Sequence, residues 1–301
     1  MDLKLKPLSE QVIVVFGASS GIGRVTALEA SRRGAAVVAA ARGTEALESL
    51  AREAGADRRF ATVTADAADP VQVRAVGDRA VDRFGRLDTW AHVAGVGEHA
   101  RFIDTPLEEF RRVVEVDLLG PVYAAHAALP HLGAGGGGAF IVVSSEVARR
   151  AFPLISAYSA AKHGVDGFLE ALRVELQHDR VPVSVTQILP GTVATPFFEH
   201  SRSRLGVRPS GPPPAYRPER VAAAILRAAE HPKRDIVVGG AAKLQLGLQR
   251  LSPRLVDAFA RWTAFRLQES TEPKQPQDVD ALDSPVDGDD RERGVVTTLH
   301  R

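Results

Sequence analysis

The sequence predicts an α/β protein with a doubly wound, parallel sheet of seven strands in a single domain. Short β-branched segments alternate with longer helical patterns along the chain, which is typical of βαβ units. Several strand segments are apolar on both faces, as expected for strands that helices cover on each side. The predicted strands span residues 12–16, 36–41, 60–64, 89–94, 139–144, 182–189 and 235–238. The predicted helices lie near residues 21–33, 44–54, 70–84, 107–131, 156–179 and 218–230.

The composition fits a globular protein and excludes several classes of function. The chain has 301 residues, of which 45% are hydrophobic and 25% are charged, and its formal net charge is +1. So small a net charge gives no electrostatic reason to expect nucleic acid as a partner. Cysteine is absent, which excludes disulfides, iron–sulfur clusters and thiol nucleophiles. A reducing compartment is compatible with this composition, and we expect the protein in the cytoplasm.

No segment predicts export, membrane insertion or metal binding. The first eleven residues, MDLKLKPLSEQ, have no apolar run after their lysines, unlike a secretory signal. Nowhere do 18 apolar residues follow one another, so we expect no membrane-spanning helix. The nine histidines show no His-Glu-x-x-His or comparable spacing, so we expect no metal site.

A glycine-rich turn directly follows the first predicted strand and opens the first helix. It reads Gly17-Ala18-Ser19-Ser20-Gly21-Ile22-Gly23. Glycine lets the backbone turn sharply and approach a pyrophosphate, and a helix N-terminus offers unpaired N–H groups with a partial positive charge. The alternative is a tight turn without a ligand, but the strand before it and the helix after it favour phosphate binding.

Tyr158 and Lys162 lie four residues apart in a predicted helix, so their side chains share one face. The ammonium of Lys162 favours the phenolate and so lowers the pKa of Tyr158, which makes the phenol usable in proton transfer. Many helices carry this spacing by accident. Ser144 and Ser145 end the fifth predicted strand, where a hydroxyl either binds a substrate oxygen or forms a turn.

The order of these motifs resembles the short-chain dehydrogenase/reductase family over about residues 8–240. The glycine turn follows strand one, Ser-Ser follows strand five, and Tyr-x-x-x-Lys lies in the next helix; after strand six stands Pro190-Gly191-Thr192-Val193-Ala194-Thr195. The resemblance implies a Rossmann-like fold and hydride transfer between a nicotinamide cofactor and a carbonyl or alcohol. Relatives commonly pair through two long helices, here 107–131 and 156–179, so it also implies a homodimer or homotetramer.

The resemblance also implies roles for individual residues. Ser145, thirteen positions before Tyr158, would orient the substrate carbonyl, and Tyr158 would exchange a proton with its oxygen. Lys162 would hold the nicotinamide ribose and lower the pKa of the tyrosine. Asp66 would meet the adenine, and Thr195 the carboxamide. The remaining cofactor positions would be Gly17, Ser19, Ser20, Gly21, Ile22, Gly23, Ala94, Gly95, Pro190, Gly191 and Val193.

The preference between the two nicotinamide cofactors is predicted at the end of the second strand. An acidic residue there would bind the adenosine 2′-hydroxyl of NAD, but this sequence has Ala41 followed by Arg42. A guanidinium can pair with a 2′-phosphate through two hydrogen bonds. We therefore expect NADP(H), with NAD(H) less favoured. The alternative is that Arg42 only caps a solvated strand end.

Three positions depart from the family pattern. Phe16 replaces a threonine, and His92 stands in His-Val-Ala-Gly where Asn-Asn-Ala-Gly is usual, so hydroxyl and amide hydrogen bonds are lost. We expect His92 to be structural rather than catalytic. Asp117 occupies the place of an asparagine that holds a water near the active-site lysine. Its carboxylate either pairs with Lys162 and weakens the effect of that lysine on Tyr158, or is a conservative replacement with little consequence.

The residues around the predicted site are largely apolar, which favours a hydrophobic substrate. They are Val96, Gly97, Phe152, Pro153, Leu154, Ile155, Phe197 and Phe198. Residues 199–218 carry five prolines and follow the C-terminal end of a strand, where ligands bind in such sheets. This segment is either a surface loop or a lid over the substrate, and its position favours the lid.

Two further segments follow the predicted domain of residues 8–240. Residues 241–268 place leucines and aromatic residues at three- and four-residue steps beside five basic residues, which predicts a basic, amphipathic helical extension. It packs against the domain or a partner subunit, or else makes peripheral contact with a membrane. Residues 269–301 are polar and contain proline, and residues 271–301 hold eight acidic and four basic side chains, which predicts a disordered tail.

The sequence thus predicts an NADP(H)-dependent oxidoreductase that interconverts a carbonyl and a secondary alcohol on a small, hydrophobic molecule. The alternative is a catalytically weak or inactive dinucleotide sensor or scaffold with the same fold. The complete set of Ser145, Tyr158 and Lys162 favours the enzyme, because an idle site has no chemical need for all three.

Overall fold

A seven-stranded parallel sheet forms the centre of the computed structural model, which describes residues 3–55, 58–134, 136–286 and 288–296. The strands are β1 (Val12–Phe16), β2 (Ala36–Ala41), β3 (Phe60–Thr64), β4 (Thr89–His92), β5 (Glu98–His99), β6 (Gly138–Val143), β7 (Val183–Pro190), β8 (Arg202–Ser203), β9 (Val207–Pro209), β10 (Asp235–Val238) and β11 (Glu269–Pro273). The central sheet runs in the order β10-β7-β6-β4-β1-β2-β3. The predicted fold class is confirmed.

Helices cover both faces of this sheet. They are α1 (Gly21–Arg32), α2 (Thr44–Glu53), α3 (Pro70–Phe84), α4 (Leu107–Val114), α5 (Gly120–Ala134), α6 (Ser156–His178), α7 (Phe197–His200), α8 (Pro218–Glu230), α9 (Gly240–Leu251) and α10 (Pro253–Gln268). The helix predicted at 107–131 is interrupted, because Glu115–Leu119 form a π-helical turn between α4 and α5. Such a turn inserts one extra residue and re-aims the side chains on it.

Two apolar clusters, one on each face of the sheet, form the core. Alternate residues of a strand point to opposite faces, so Val14 packs with residues of α3, α5 and α6, whereas Val15 packs with residues of α1 and α8. Both valines are fully buried. The order of the strands reverses between β1 and β4, and the crevice at their carboxyl ends is where ligands bind in such sheets.

The chain after Gly239, where the sequence predicts a helical extension, forms two helices up to Gln268. Helix α9 ends at Leu251 and α10 begins at Pro253, which cannot continue the preceding helix because it has no N–H to donate. Within the described residues, no helix is both long and apolar enough to cross a bilayer.

The C-terminal tail differs from the disorder that its composition predicts. Strand β11 pairs with β9, Leu282 is fully buried in a core cluster, and Arg202 binds both Asp280 and Asp283 at 2.8 Å. Composition averages the charge of the tail and cannot indicate that its carboxylates have distant arginine partners. The described part of the tail therefore packs on the domain. Residues 287 and 297–301 of the predicted disordered segment lie outside the described residues.

Candidate active site

One cavity at the carboxyl ends of the central strands brings the predicted site residues together. Every predicted cofactor position lines it, from Gly17 in the glycine turn to Thr195 after β7, and Ser145 does so as well. Asp117 is the exception among the predicted residues, since it lies behind the cavity wall. Residues distant in sequence thus converge because parallel strands end at the same edge of the sheet.

The glycine turn is packed too tightly for any other residue at two positions. A Cβ on Gly17, whose φ is +96°, would lie 2.4 Å from the backbone nitrogen of Ala94, and a Cβ on Gly23 would lie 1.9 Å from the carbonyl oxygen of Gly17. The turn therefore brings bare backbone to the cavity wall. Ser20, the N-cap of α1, makes no side-chain capping bond, so its hydroxyl leaves the first N–H groups of the helix to other acceptors. This donor set fits the phosphates of a dinucleotide.

Tyr158 and Lys162 lie one turn apart on α6, and both face the cavity. The ammonium nitrogen of Lys162 lies 5.3 Å from the centre of the Tyr158 ring, and the lysine is buried. Ser145 follows β6 and begins a short 3-10 turn, with its Oγ accepting a hydrogen bond of 3.3 Å from the N–H of Val147. The neighbouring Ser144 Oγ is buried and has no partner among the described residues.

A buried ion pair joins Asp117 to Lys162. The π-helical turn directs Asp117 inwards, where Oδ1 lies 2.9 Å from the Lys162 nitrogen and Oδ2 accepts a hydrogen bond of 3.1 Å from the N–H of Val96. A Cβ on Gly95 would lie only 2.8 Å from Asp117 Oδ1, so glycine is needed there for the carboxylate to approach. Of the two interpretations left open for Asp117, the structure has the pairing with the lysine.

The ion pair and burial together set the pKa values at the site. Burial alone would lower the pKa of Lys162, but the Asp117 carboxylate and the Tyr158 phenolate raise it above its ordinary value, so the lysine stays charged. Burial raises the pKa of Tyr158, and Asp117 raises it further, whereas Lys162 and the Ser145 hydroxyl lower it. The net shift is upward, which differs from the lowering expected of Lys162 alone, because burial and the aspartate outweigh the ammonium.

Phe16 and His92, two of the departures from the family pattern, contact each other. They are cross-strand partners on β1 and β4, and their rings stack with centres 5.3 Å apart. Burial lowers the pKa of His92 to about 3, and Lys162 contributes, so the imidazole is neutral at physiological pH. An aromatic stack therefore occupies the place where the family uses hydroxyl and amide hydrogen bonds.

The apolar part of the cavity lies beside Tyr158. The ring centres of Tyr158 and Phe197 are 5.6 Å apart, and Phe198 packs edge-on against Phe197. Of the eight residues predicted around the substrate, Pro153 and Leu154 do not line the cavity; the other six do. His200, Ser210, Gly211 and Pro212 of the predicted lid segment also line it.

Sequence reasoning missed Glu146 and the tail residues that reach the cavity. Glu146 lines the cavity and is largely buried, which raises the pKa of its carboxyl to about 7. Its position directly after Ser145 was the only sequence signal. Ala281, Pro285, Val286 and Asp289 of the tail line the same cavity. Arg42, which we expected at the cofactor, donates hydrogen bonds to the carbonyl oxygens of Ala281 at 2.5 Å and Leu282 at 3.5 Å.

The fold and the site together define a class of protein, the dinucleotide-binding oxidoreductases with a doubly wound sheet. The comparison with protein families agrees, since the model described as short chain dehydrogenase matches residues 11–206. The chain therefore belongs to the short-chain dehydrogenase/reductase family, whose members are oxidoreductases that bind a nicotinamide dinucleotide.

Individual relatives extend the similarity over most of the chain. The oxidoreductase YxnA of Bacillus subtilis (strain 168) is 42% identical over 285 residues, which cover 93% of this chain and 80% of YxnA. An alcohol dehydrogenase from the archaeon Thermococcus sibiricus, complexed with 5-hydroxy-NADP, superposes with a TM-score of 0.66 at 25% identity. The match covers 76% of this chain and 95% of the dehydrogenase chain. A short chain dehydrogenase from Burkholderia cenocepacia in complex with NADP gives a TM-score of 0.69 at 25% identity, and the match covers 85% of this chain and 99% of the Burkholderia chain.

Replacing Asp117 by asparagine is expected to move the alkaline limb of the pH profile for carbonyl reduction to lower pH. With Tyr158 as the expected proton donor, reduction requires its protonated phenol, so we expect activity to fall as the pH rises through the pKa of that group. Asp117 raises this pKa, and removing its charge lowers it. The measurement is kcat against pH for both proteins, with the exposed Asp104→Asn as the matched control. An alkaline limb that does not move in Asp117→Asn would contradict this assignment.

Proposed function

We propose that the protein is an NADP(H)-dependent oxidoreductase that interconverts a carbonyl and a secondary alcohol on a small, hydrophobic molecule. The observation that carries this proposal is the pair of half-buried Tyr158 and buried Lys162 on the wall of the cavity that also contains the glycine turn. A sensor or scaffold without turnover is the competing proposal. It does not account for a buried ammonium held by Asp117 next to a phenol, because burying a charge is costly and cofactor binding alone needs no proton donor.

Proton transfer is the part of the reaction that the chain itself performs. In reduction, the phenolic O–H of Tyr158 gives its proton to the carbonyl oxygen, while the hydroxyl of Ser145 donates a hydrogen bond to the same oxygen. The charged Lys162 stabilises the phenolate that is left. A dihydronicotinamide held in the cavity would supply the hydride. In oxidation, the phenolate accepts the proton of the alcohol.

Different residues of the cavity suit the different chemical groups of the cofactor. The N–H groups of the glycine turn and of the first turn of α1 suit the phosphates. The ammonium of Lys162 suits the ribose hydroxyls, and the carboxylate of Asp66 lies on the wall at the end where we propose the adenine. Thr195, after β7, suits the carboxamide. Arg42 follows β2, where a guanidinium would meet a 2′-phosphate.

The proposed substrate is hydrophobic because aromatic and aliphatic side chains make up the wall beside Tyr158. Phe152, Ile155, Phe197 and Phe198 all line the cavity. Glu146 is a polar exception, and its pKa of about 7 means that it can donate a hydrogen bond from its protonated form at neutral pH. We therefore propose an apolar carbonyl compound with one additional polar group.

The oxidoreductase proposal predicts that NADPH is consumed only with a proton donor at position 158. The assay follows NADPH oxidation against a panel of apolar ketones and aldehydes. Tyr158→Phe removes only the hydroxyl, and we expect kcat to fall by about a hundredfold to ten-thousandfold, the usual contribution of general acid catalysis. Tyr123→Phe, on α5, is the matched control. Equal activity of Tyr158→Phe and the parent protein would overturn the mechanism, and a preference for charged sugars would overturn the substrate class.

The proposed cofactor preference predicts a larger kcat/KM with NADPH than with NADH. Arg42→Ala is expected to lower kcat/KM for NADPH by about tenfold to a hundredfold, as for the loss of a charge-assisted hydrogen bond, and to leave the value for NADH nearly unchanged. Arg52→Ala, on the surface of α2, is the control. A clearly larger kcat/KM with NADH than with NADPH in the parent protein would contradict the proposal.

We further propose a cytoplasmic protein that forms a homodimer or homotetramer and makes peripheral contact with membranes through residues 241–268. Two groups of apolar side chains support the membrane contact, each at i, i+4 and i+7 of a helix: Leu244, Leu248 and Leu251 on α9, and Leu255, Phe259 and Trp262 on α10. All six are exposed, the least exposed being Leu248 at 49%. Such a spacing puts each group on one face of its helix.

The charge of this surface fits an anionic lipid layer. Lys243, Arg254 and Arg261 are exposed and directly precede apolar residues of the two groups. Asp257 is the only acidic residue between 241 and 268, and it is paired with Arg150 at 2.6 Å. Basic residues near a membrane surface contribute about 1 kcal/mol each with anionic lipids, and the apolar groups enter the headgroup boundary.

The helices that carry this surface border the cavity with their buried sides. Gln268, the last residue of α10, lines the cavity and donates a hydrogen bond of 3.0 Å to the carbonyl oxygen of Pro153. At the start of α9, the Cβ of Ala242 lies 3.5 Å from the position of a Cβ on Gly191, which also lines the cavity. An apolar substrate dissolved in a bilayer would therefore have a short route to Tyr158.

Sedimentation with vesicles tests the membrane contact. We expect binding to vesicles of phosphatidylserine and phosphatidylcholine and much weaker binding to phosphatidylcholine alone. The triple variant Leu255→Ser, Phe259→Ser and Trp262→Ser is expected to lose most of this binding, whereas Val71→Ser with Val174→Ser, exposed on α3 and α6, is expected to retain it. Equal binding of the triple variant would contradict the proposal. A triple variant that instead changes the oligomer measured by ultracentrifugation would assign this surface to a subunit interface.

A further inference from the structure

The C-terminal tail lies across the cavity in which we propose that the cofactor binds. Two stretches, residues 281–286 and 288–294, contribute to this and are called the strap. One end of the strap is held by Leu282, which is buried in the core, and by the ion pairs of Arg202 with Asp280 and Asp283. Near the other end, Asp289 binds His200 at 2.6 Å. Between these anchors, Pro285 and Val286 line the cavity.

The strap uses the hydrogen-bond donors that a phosphorylated dinucleotide needs. The carbonyl oxygen of Arg291 accepts a hydrogen bond of 2.9 Å from the N–H of Gly21, the first residue of α1. The carbonyl oxygens of residues 281 and 282 accept from the guanidinium of Arg42. The carboxylate of Asp290 accepts from the hydroxyl of Ser49 and lies 3.8 Å from the guanidinium of Arg24. A backbone N–H that already donates to Arg291 is not free for a phosphate oxygen.

The strap also fills space at the end of the cavity where the adenosine would bind. Pro285 lines the cavity and lies 3.4 Å from the position of a Cβ on Gly43, next to Arg42. Farther along, Gly294 packs against the backbone of Thr195, and its N–H lies 3.4 Å from the carbonyl oxygen of Ala194. At the adenosine end, the strap and a dinucleotide therefore require the same volume.

The outer half of the strap, residues 284–286 and 288–294, is held more loosely at its end than at its start. Its ion pairs Arg291 with Glu199 and Arg293 with Glu219 involve arginine side chains that are about half exposed, whereas the pair of Asp289 with His200 is more buried. Exposed pairs of the first kind contribute little to stability. The inner anchor at Leu282, by contrast, is fully buried. The outer half can consequently leave the cavity while the inner anchor stays in place.

We infer that the strap is an internal competitor of the cofactor: it occupies the groove in the free protein, and NADP(H) binds only when the outer half of the strap leaves. The inference rests on the proposed function, because it takes the nicotinamide dinucleotide as the ligand of this groove. With such competition, the apparent dissociation constant of the cofactor equals the intrinsic one divided by the fraction of molecules that have an open groove.

Truncation tests the competition by binding rather than by turnover. Removing residues 284–301 deletes the outer half of the strap but keeps Leu282, Asp280 and Asp283 in place. We expect the dissociation constant of NADPH, measured by its fluorescence, to fall at least about threefold relative to the full chain. The full-length variant Asp290→Asn is expected to change it in the same direction, and Asp278→Asn, a tail residue outside the strap, to leave it unchanged.

Cross-linking follows the position of the strap directly. The chain has no cysteine, so Ser49→Cys with Asp290→Cys creates a single pair of thiols, one on α2 and one on the strap. We expect a short thiol cross-linker to join them in the free protein and saturating NADPH to slow the reaction, while either single variant gives no intramolecular product. A cross-linking rate that NADPH leaves unchanged would overturn the inference.

The outcomes separate this inference from the proposed function. If truncation weakens NADPH binding, the strap closes over bound cofactor instead of competing with it, and the inference is wrong while the proposed cofactor stands. Equal dissociation constants for the full and truncated chains overturn it in the same way. If NADPH binds to neither protein, the proposed cofactor is wrong, and the competition falls with it.

Discussion

The geometry of the site depends on the buried ion pair between Lys162 and Asp117. The lysine comes from α6 and the aspartate from the π-helical turn, so the pair ties two long helical segments together behind Gly95. Both groups are almost fully buried, and removing one partner would leave the other charge uncompensated, which commonly costs about 3 to 5 kcal/mol. The pair also fixes an ammonium beside the ring of Tyr158. The position of the lysine is therefore a consequence of this interaction, and the acidity of the phenol depends on it together with burial.

The departures from the family pattern form two coupled changes rather than three independent ones. Phe16 and His92 are cross-strand partners, so one aromatic stack stands in place of a hydroxyl on β1 and an amide on β4, while both ring nitrogens of His92 are buried without a hydrogen-bond partner among the described residues. Asp117 stands where the family has asparagine, and its charge is compensated by Lys162. Each change has a partner within the sheet or the site, which explains how the fold tolerates them.

The sequence predicted the sheet closely because its strands are short apolar runs bounded by turns; four of the seven predicted strands, including 12–16, have the bounds observed. It also predicted which residues would converge at the cavity. Each motif follows a strand, and the carboxyl ends of parallel strands lie at one edge of the sheet. The π-helical turn at Asp117 could not be predicted, because no residue pattern indicates it. The strap was missed for a different reason: its partners, Arg42 and Arg202, lie about 80 to 240 residues away in sequence.

We propose that this chain transfers a hydride to a carbonyl carbon with Tyr158 as the proton donor. The most direct test of this proposal uses NADPH that carries deuterium at C4 of the nicotinamide on one face or the other, with the carbonyl compound that is reduced best. We expect deuterium at the carbinol carbon of the product alcohol from only one of the two labelled cofactors, because the substrate is held in one orientation. Product alcohol without deuterium from either cofactor, measured by mass spectrometry, would contradict it.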